Sequence, residues 1–276
     1  MSETPIYIEI AATVSPIEPF RDLFIAQLGA VGFESFSETE GGFHAYIVKE
    51  DYSKITVDEA LVWEGALCTY SVKEIEQVNW NAEWEKNFDP IDVDGVVYIR
   101  APFHENKTGY LYPMLIEPKM SFGTGHHQTT YMMIQWLLET STDGLKVLDM
   151  GCGTGILGIL AGMRGAAEIH GIDIDTWCIE NALENARRNE VVMTAEVGGA
   201  GALKDTYQVI CANINLNVLL ADMNSYASAL SSGGTIFFSG FYEKNIPALR
   251  GAAELAGLTY EGVKSREQWR SIKMTK

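Results

Sequence analysis

Cysteine and basic residues are both scarce in this chain, and each scarcity argues against a class of function. The four cysteines, Cys68, Cys152, Cys178 and Cys211, form no Cys-x-x-Cys pair. They therefore predict reduced, partly buried thiols rather than a disulfide framework or a zinc site. The chain has 20 lysines and arginines against 37 acidic residues, a formal net charge of −17. A nucleic-acid groove needs clustered basic side chains, so we expect no direct nucleic-acid binding.

Long apolar runs are missing as well. No stretch of the sequence approaches the roughly 20 apolar residues that a membrane helix requires. The first residues, MSETPIYIEIAATVS, carry no basic segment and no apolar core of a signal peptide. These features predict a cytoplasmic protein without membrane contact. Hydrophobic residues still make up 47% of the chain, which is enough to bury a sizeable core.

Residues 1–75 predict a small α+β domain. Their order of strand and helix patterns is β-α-β-β-α-β, which is typical of a ferredoxin-like domain. The strand patterns cover 6–14, 33–39, 41–50 and 67–75, and the helical patterns cover 18–32 and 56–65. Thr56, followed by Glu59 three residues later, predicts a capping box at the start of the second helix.

The same 75 residues are strongly acidic. They hold 13 acidic and 4 basic side chains, against 24 and 16 in the remaining 201 residues. An acidic surface of this kind attracts a basic protein partner over long range. It also serves solubility alone, and the sequence leaves both interpretations open.

Residues 76–94, polar and rich in tryptophan, predict a linker helix that stops near Pro90. Residues 95–276 then alternate buried strand patterns with amphipathic helix patterns. This alternation predicts right-handed βαβ crossovers and a doubly wound, mostly parallel sheet, a Rossmann-like fold. The last segment, LTYEGVKSREQWRSIKMTK, predicts a closing antiparallel hairpin.

A glycine-rich turn carries the strongest local signal. In LDMGCGTGILGILA, Gly151, Gly153 and Gly155 follow a buried strand and open a helix, so the backbone can approach a ligand closely. Gly153, Gly155 and Gly158 also satisfy Gly-x-Gly-x-x-Gly, which leaves a dinucleotide site and an NAD-linked oxidoreductase open. Asp149 precedes the first glycine, where a carboxylate can fix the loop or attract a cationic ligand. An acidic residue before the glycines favours S-adenosylmethionine (SAM) over NAD.

Two further strand ends supply polar side chains. Asp173, in GIDID, ends the next strand, and a carboxylate there can accept hydrogen bonds from ribose hydroxyls. Asn213, in CANIN, ends the fourth strand of this domain. Because open α/β sheets bind ligands beyond the carboxyl ends of their strands, we expect Gly151, Asp173 and Asn213 to face one crevice. The Asn213 amide oxygen could then accept a hydrogen from an amine and aim the nitrogen lone pair at the SAM methyl group.

The chain resembles the ribosomal protein methyltransferase A (PrmA) family in four motifs, SFGTGHHQTT, LDMGCGTGILGILA, GIDID and CANIN, and in the linker segment NWNAEWEKNFDPI. This resemblance implies a class I SAM-dependent methyltransferase that methylates lysine or N-terminal amino groups of ribosomal protein L11. It also implies that the N-terminal domain recognises the substrate. The family's SAM-contacting residues correspond to Thr130, Gly151, Asp173 and Asn213.

We therefore predict one cofactor site for SAM and no metal site. The predicted SAM-binding residues are Thr130, Gly151, Gly153, Asp173, Asn213, Phe122 and Ile174, and Asn213 is also the candidate for positioning the amine. His126 and His127 lack a third metal ligand nearby. Because SFGTGHHQTT precedes the Gly151 turn and leads into the apolar segment YMMIQWLLE, it is interpreted as a glycine-rich flap over the cofactor. The sequence departs from the family at His126, Gln128 and Asn215, positions expected near the substrate rather than the cofactor. A methyltransferase for another protein or for RNA, and a non-catalytic binding module, remain alternatives.

Overall fold

A computed structural model describes residues 6–75, 85, 87–119 and 121–276. Two units make up the chain, Met1–Asn87 and Phe88–Lys276. Most of the predicted linker helix over 76–94 lies outside the described residues. Its last part belongs to the second unit, where Ile91–Val93 forms a strand.

The first unit is built on one antiparallel sheet. Its elements are β1 (Tyr7–Ser15), α1 (Phe20–Ala30), β2 (Ser35–Thr39), β3 (Gly42–Val48), α2 (Lys54–Ala60) and β4 (Leu67–Ile75). The strands lie in the order β2-β3-β1-β4, with every neighbouring pair antiparallel. Alternate residues of β1, among them Ile8 and Ile10, pack with Phe24 and Leu28 of α1 in one buried cluster. The element order is the one that the sequence predicts for a ferredoxin-like domain.

The predicted capping box on the second helix is wrong. Helix α2 begins at Lys54, two residues earlier than expected, and Ser53 is its N-cap. The Ser53 hydroxyl accepts a hydrogen bond from the backbone N–H of Thr56 at 3.4 Å. Thr56 is thus the capped residue, because serine at 53 satisfies the first free amides of the helix.

The second unit is an α/β sandwich around a seven-stranded sheet. Its first strands, β5 (Ile91–Val93), β6 (Val97–Arg100) and β7 (Tyr112–Leu115), form a separate small sheet. The large sheet contains β8 (Lys146–Met150), β9 (Glu168–Asp173), β10 (Thr194–Val197), β11 (Tyr207–Asn213), β12 (Leu230–Tyr242), β13 (Thr259–Arg266) and β14 (Trp269–Thr275). The helices are α3 (Gln128–Glu139), α4 (Ile156–Met163), α5 (Thr176–Arg188), α6 (Leu216–Ala221), α7 (Met223–Ala229) and α8 (Ile246–Leu255).

The strand order of the large sheet is β10-β9-β8-β11-β12-β14-β13. The strands from β8 to β12 pair in parallel, and β14 joins β12 and β13 antiparallel. The mostly parallel sheet and its closing hairpin are therefore confirmed. Because the chain enters this sheet at the inner strand β8 and then winds outward first to β9 and β10 and later to β11 and β12, a crevice forms beyond the carboxyl ends of β8, β9 and β11.

Buried clusters cover both faces of this sheet. One contains Val147 and Val209 and extends to α3, α4 and the small sheet. The other contains Leu148 and Ile210 and extends to α6, α7 and α8. Neighbouring residues of one strand thus point into different layers, as a doubly wound fold requires.

Two short helices, rather than one, connect β11 to β12. Helix α6 ends at Ala221 and α7 begins at Met223, with Asp222 between them at φ −100° and ψ 6°. The Asp222 carbonyl accepts hydrogen bonds from the amides of Ser225 and Tyr226, so one aspartate ends the first helix and starts the next. Among the described residues, no helix has both the length and the apolar character needed to cross a membrane.

Candidate active site

A cavity of about 610 Å³ lies at the carboxyl ends of the parallel strands. Gly151 follows β8, Asp173 ends β9 and Asn213 ends β11, so the residues that the sequence placed in one crevice do meet there. The predicted residues Phe122, Gly153 and Ile174 also line this cavity. Thr130 does not.

The glycine-rich turn is shaped to fit two neighbouring segments. Gly151 has φ +69°, and a Cβ on it would lie 2.2 Å from Cγ2 of Ile214. Gly153 has φ +52°, and a Cβ there would lie 2.2 Å from the backbone oxygen of Phe122. The backbone N–H of Thr154 donates a hydrogen bond to the Phe122 carbonyl at 2.9 Å. This bond holds the turn against the segment that contains Phe122. Side chains are therefore excluded from these positions by both conformation and space.

Asp173 is held by the turn that it faces. Its Oδ2 accepts a hydrogen bond from the Gly153 amide at 2.9 Å, and its Oδ1 accepts one from the Asp175 amide at 3.1 Å. A carboxylate has about four lone-pair sites, so both oxygens can accept further hydrogen bonds on the cavity side. The arrangement presents a fixed pair of acceptors to any ligand with neighbouring hydroxyl groups.

Asp149 has a structural role. Its side chain is 2% exposed, and Oδ2 accepts a hydrogen bond from the Gly158 amide in α4 at 2.9 Å. Burial raises the pKa of this carboxyl to about 7, and the nearby charge of Asp173 adds to the rise, while the Gly158 amide opposes it. Asp149 is not among the cavity-lining residues, so of the two roles left open by the sequence the structure favours fixing the loop.

Asn213 and Thr130 form a pair at the cavity wall. The Asn213 Nδ2 group donates to Thr130 Oγ1 at 3.4 Å. The Asn213 Oδ1 atom is buried and has no hydrogen-bond partner among the described residues. Thr130 is fully buried in the first turn of α3, whereas its neighbour Thr129 lines the cavity. The Asn213 carboxamide oxygen is thus the one polar atom of this pair that the described residues leave without a hydrogen bond.

The two histidines of SFGTGHHQTT have different environments. His127 is the N-cap of α3: its Nδ1 accepts from the Thr129 amide at 3.2 Å and lies 2.7 Å from the Thr129 hydroxyl. Burial lowers the pKa of His127, against the opposing effect of Glu267, and the Thr129 amide pairs with the tautomer whose Nδ1 is the acceptor. His126 is exposed, and its Nε2 lies 2.8 Å from the Asp89 carbonyl. His127 thus fixes the start of the helix.

One group of possible metal ligands occurs in the described part of the chain. Ligand atoms of Asp173, Asp175 and Cys178 lie within 4.8 Å of one another on the cavity wall. Burial raises the pKa of the Cys178 thiol, and a protonated thiol is a poor metal ligand. Both Asp173 oxygens already accept backbone hydrogen bonds. The absence of a metal site remains a prediction.

Two departures from the family pattern have structural roles. Gln128 ties the start of α3 to the turn between β13 and β14: its Nε2 donates to Glu267 Oε1 at 2.7 Å, and its Oε1 accepts from Arg266. Asn215 is the N-cap of α6, and its Oδ1 accepts from the Val218 amide at 3.2 Å. Asn215 also lines the cavity, whereas Gln128 does not. Of these two departures, therefore, only Asn215 can contact a ligand in the cavity.

Sequence reasoning missed part of the cavity wall. Trp177 from α5 and Trp269 from β14 both line it, and the Trp269 ring lies 4.7 Å from the ring of His127 and 4.4 Å from that of Tyr242. Trp177 stands four residues after Asp173, and this proximity could have identified it. Trp269 is distant in sequence from every motif, so only the hairpin pairing brings it to the site.

Comparisons with known proteins agree with this architecture. A profile of the family described as ribosomal protein L11 methyltransferase (PrmA) matches residues 30–276. A ribosomal protein L11 methyltransferase from Porphyromonas gingivalis is 44% identical over 266 residues, covering 94% of this chain and 92% of the relative. One from Bacteroides fragilis is 42% identical over 275 residues, covering 97% of this chain and 98% of the relative.

A solved structure extends the comparison to the fold. The crystal structure of ribosomal protein L11 methylase from Lactobacillus delbrueckii subsp. bulgaricus matches with a TM-score of 0.64 at 22% identity. The match covers 68% of this chain and 99% of that chain. On the strength of the profile and of the near-full-length relatives, this chain belongs to the ribosomal protein L11 methyltransferase (PrmA) family.

Proposed function

We propose that this protein is a SAM-dependent methyltransferase that transfers methyl groups to amino groups of ribosomal protein L11. Its relatives carry that name and align over nearly the whole chain. The observation that carries the proposal is the Asn213 amide oxygen, which is buried in the wall of the cavity and has no partner among the described residues. An amine substrate supplies the N–H donor that this oxygen lacks.

The cavity residues fit SAM. The Asp173 carboxylate offers acceptors for the two ribose hydroxyls, as the acidic residue of a Rossmann-like site does. Gly151 and Gly153 line the cavity without side chains, so a ligand can approach their backbone closely. Ile174 is 74% exposed beside Asp173 and gives an apolar surface for a flat base. When bound, SAM supplies an electrophilic methyl group on a sulfonium centre.

Asn213 then acts on the acceptor amine. Its Oδ1 accepts one N–H and directs the nitrogen lone pair away from itself, while Thr130 fixes the carboxamide from behind through Nδ2. Holding two reactants in such an orientation can supply about 7–11 kcal/mol in ideal cases. The aromatic wall formed by Phe122, His127 and Trp269 gives the aliphatic stem of a lysine an apolar surface.

The amine must be neutral before it can attack. From ordinary pKa values, deprotonation at pH 7 costs roughly 4–5 kcal/mol for a lysine and about 1 kcal/mol for an N-terminal amine. Burial beside aromatic side chains lowers the cost for lysine, because low polarity disfavours the charged form. A dedicated base is not required by this scheme, and solvent at the open cavity mouth takes the proton.

The N-terminal unit is proposed to recognise the substrate. Residues 1–75 carry 13 acidic and 4 basic side chains, a charge that suits a basic ribosomal protein. An NAD-linked oxidoreductase is not favoured, since the family is one of methyltransferases. An RNA target is not favoured either, because residues 1–75 carry an excess of acidic over basic side chains.

The test combines binding with transfer. Calorimetry should show binding of SAM and none of NADH, and labelled SAM should mark L11 in ribosomes from a strain that lacks its own L11 methyltransferase. Tight binding of NADH without binding of SAM would reject the cofactor assignment. Binding of SAM without any labelled protein band would indicate a non-catalytic binding module. Label in the RNA fraction instead of in L11 would identify RNA as the methylated substrate.

A further inference from the structure

A second cavity adjoins the cofactor cavity. It measures about 380 Å³ and is lined by Lys119, Ser121, Trp177, Glu180 and Asn181. Trp177 lines both cavities, so the two cavities are adjacent. Three of the five residues come from the first two turns of α5, and the other two come from the segment that leads to Phe122. The predicted SAM-binding residues take no part in this second cavity.

Asn181 presents an unsatisfied acceptor here. Its side chain is 1% exposed, its Nδ2 donates to the Glu117 carbonyl at 3.5 Å, and its Oδ1 has no partner among the described residues. Ser121 is 5% exposed, and its hydroxyl faces the Cys178 sulfur, which leaves the acceptor side of its Oγ without a donor in the described part of the chain. Because an unpaired buried acceptor is costly, the two oxygens together indicate a ligand that donates hydrogen bonds.

The charges around the cavity favour a cation. Glu180 is exposed and has no hydrogen-bond or ion-pair partner among the described residues. Lys119, the one basic residue in the lining, is paired with Glu184, which also pairs with Arg188. A phosphate or a carboxylate would find one neutralised lysine and would face Glu180. A cation finds a free carboxylate, two acceptor oxygens and the half-exposed ring of Trp177, whose face attracts positive charge.

We propose that this cavity is a subsite for a basic side chain of the polypeptide substrate, close in space to the amine that is methylated. Arginine fits best, because its planar guanidinium can stack on the Trp177 indole while its several N–H groups reach Asn181 and Glu180. The inference rests on the proposed function and adds a specificity-determining contact to it. The methyl acceptor enters the first cavity, and a neighbouring basic side chain occupies the second.

The test measures methyl transfer to purified unmethylated L11 with the full-length enzyme. Glu180→Gln and Asn181→Leu should each raise the KM for L11 about three- to tenfold, with kcat and the Kd for SAM unchanged. Glu254→Gln removes the same charge from the exposed face of α8 and should leave the KM unchanged. Because Asn181 is buried, a thermal melt of Asn181→Leu checks that this variant folds. If it does not fold, the KM of Glu180→Gln alone tests the subsite.

A double-mutant cycle identifies the bound side chain. Each lysine and arginine of L11, other than methylated ones, is replaced by glutamine and assayed with wild-type enzyme and with Glu180→Gln. We expect one replacement that raises the KM with the wild type and has no further effect with the variant. Unchanged KM in both variants, or additive effects for every replacement, would overturn the subsite while leaving the function intact. Loss of SAM affinity in Glu180→Gln would assign the cavity to the cofactor, and failure of the wild type to methylate L11 would reject the function itself.

Discussion

The Asn213 side-chain amide donates a hydrogen bond to Thr130 Oγ1 at 3.4 Å, across 83 residues of sequence. The bond uses the nitrogen end of the carboxamide and leaves the oxygen end without a partner in the described part of the chain. Thr130 itself is fully buried and does not line the cavity. The sequence predicts a direct contact between Thr130 and the cofactor, whereas this geometry favours a role in orienting Asn213.

Replacing Thr130 distinguishes these two roles. Thr130→Val keeps the shape of the side chain and removes the acceptor, so Asn213 can rotate and present Nδ2 to the amine. We expect kcat for methyl transfer to fall about ten- to hundredfold, with less than a twofold change in the Kd for SAM by calorimetry. Thr130→Ser keeps the hydroxyl and should retain activity. A rise in Kd that matches the loss of activity would support the direct contact instead.

Asp173 should control the affinity for SAM. Asp173→Ala removes the acceptors for the ribose hydroxyls and also frees the Gly153 amide, so we expect the Kd to rise about ten- to hundredfold. Asp222→Asn, which changes the same charge at another lining position, should have a much smaller effect. Circular dichroism of each variant controls for folding. An unchanged Kd in folded Asp173→Ala would contradict the ribose site.

Much of this site follows from the sequence because parallel strands end at one edge of a sheet. Gly151, Asp173 and Asn213 each follow or end a buried strand, and that position alone brings them together once the strands are parallel. The element order of the first unit and of the large sheet follows in the same way from periodicity and turn residues. These features are local, and local patterns are what a single sequence displays.

The remaining features depend on long-range contacts. The small sheet β5-β6-β7 has strands of three or four residues, too short to show a periodic pattern, and it is stabilised by packing on the main core. Trp269 reaches the cavity only through the pairing of β14 with β12. At the break at Asp222 and at the cap at Ser53, several nearby polar residues could form the hydrogen bond to the backbone. The spacing of residues in the sequence does not predict which of them forms it.

Two glycines of the cavity wall should differ sharply in their tolerance of alanine. A Cβ at Gly153 would lie 2.2 Å from the Phe122 carbonyl oxygen, at φ +52°. Gly199 lines the same cavity with φ −114° and has no atom within 4 Å of the added carbon. Gly153→Ala should therefore lower the free energy of unfolding by at least about 1–2 kcal/mol and weaken SAM binding, whereas Gly199→Ala should do neither. Urea unfolding and calorimetry measure the two effects, and equal behaviour of the variants would contradict the close approach.

Removal of the N-terminal unit should separate binding from recognition. A chain that begins at Phe88 retains the whole cavity, because every lining residue lies in the second unit. We expect it to bind SAM with the Kd of the full chain and to lose measurable transfer to L11. The full-length protein assayed in parallel is the reference. Normal methylation of L11 by the shortened chain would show that residues 1–87 do not recognise the substrate.

Asp149 should make stability depend on pH in a defined direction. Burial raises its pKa from the ordinary value of 3.8 to about 7 in the folded chain. Below about pH 4 the Asp149 carboxyl is protonated in both the folded and the unfolded chain, and folding carries no cost of ionisation. As the pH rises towards 7 the unfolded chain ionises first, so the free energy of unfolding falls by a few kcal/mol. Asp149→Asn cannot ionise, and its carboxamide oxygen can still accept the Gly158 amide hydrogen.

The variant should therefore gain stability relative to the wild type as the pH rises from 5 to about 7, with the difference levelling off above that. Urea unfolding at fixed ionic strength and several pH values measures the free energy of unfolding of both proteins. Since the other titrating groups are shared, the difference between the two profiles reports the ionisation of Asp149 together with its coupling to the charge of Asp173. Parallel profiles would mean that the folded and unfolded pKa values agree, and a difference that falls with pH would mean that Asp149 is stabilised as a carboxylate.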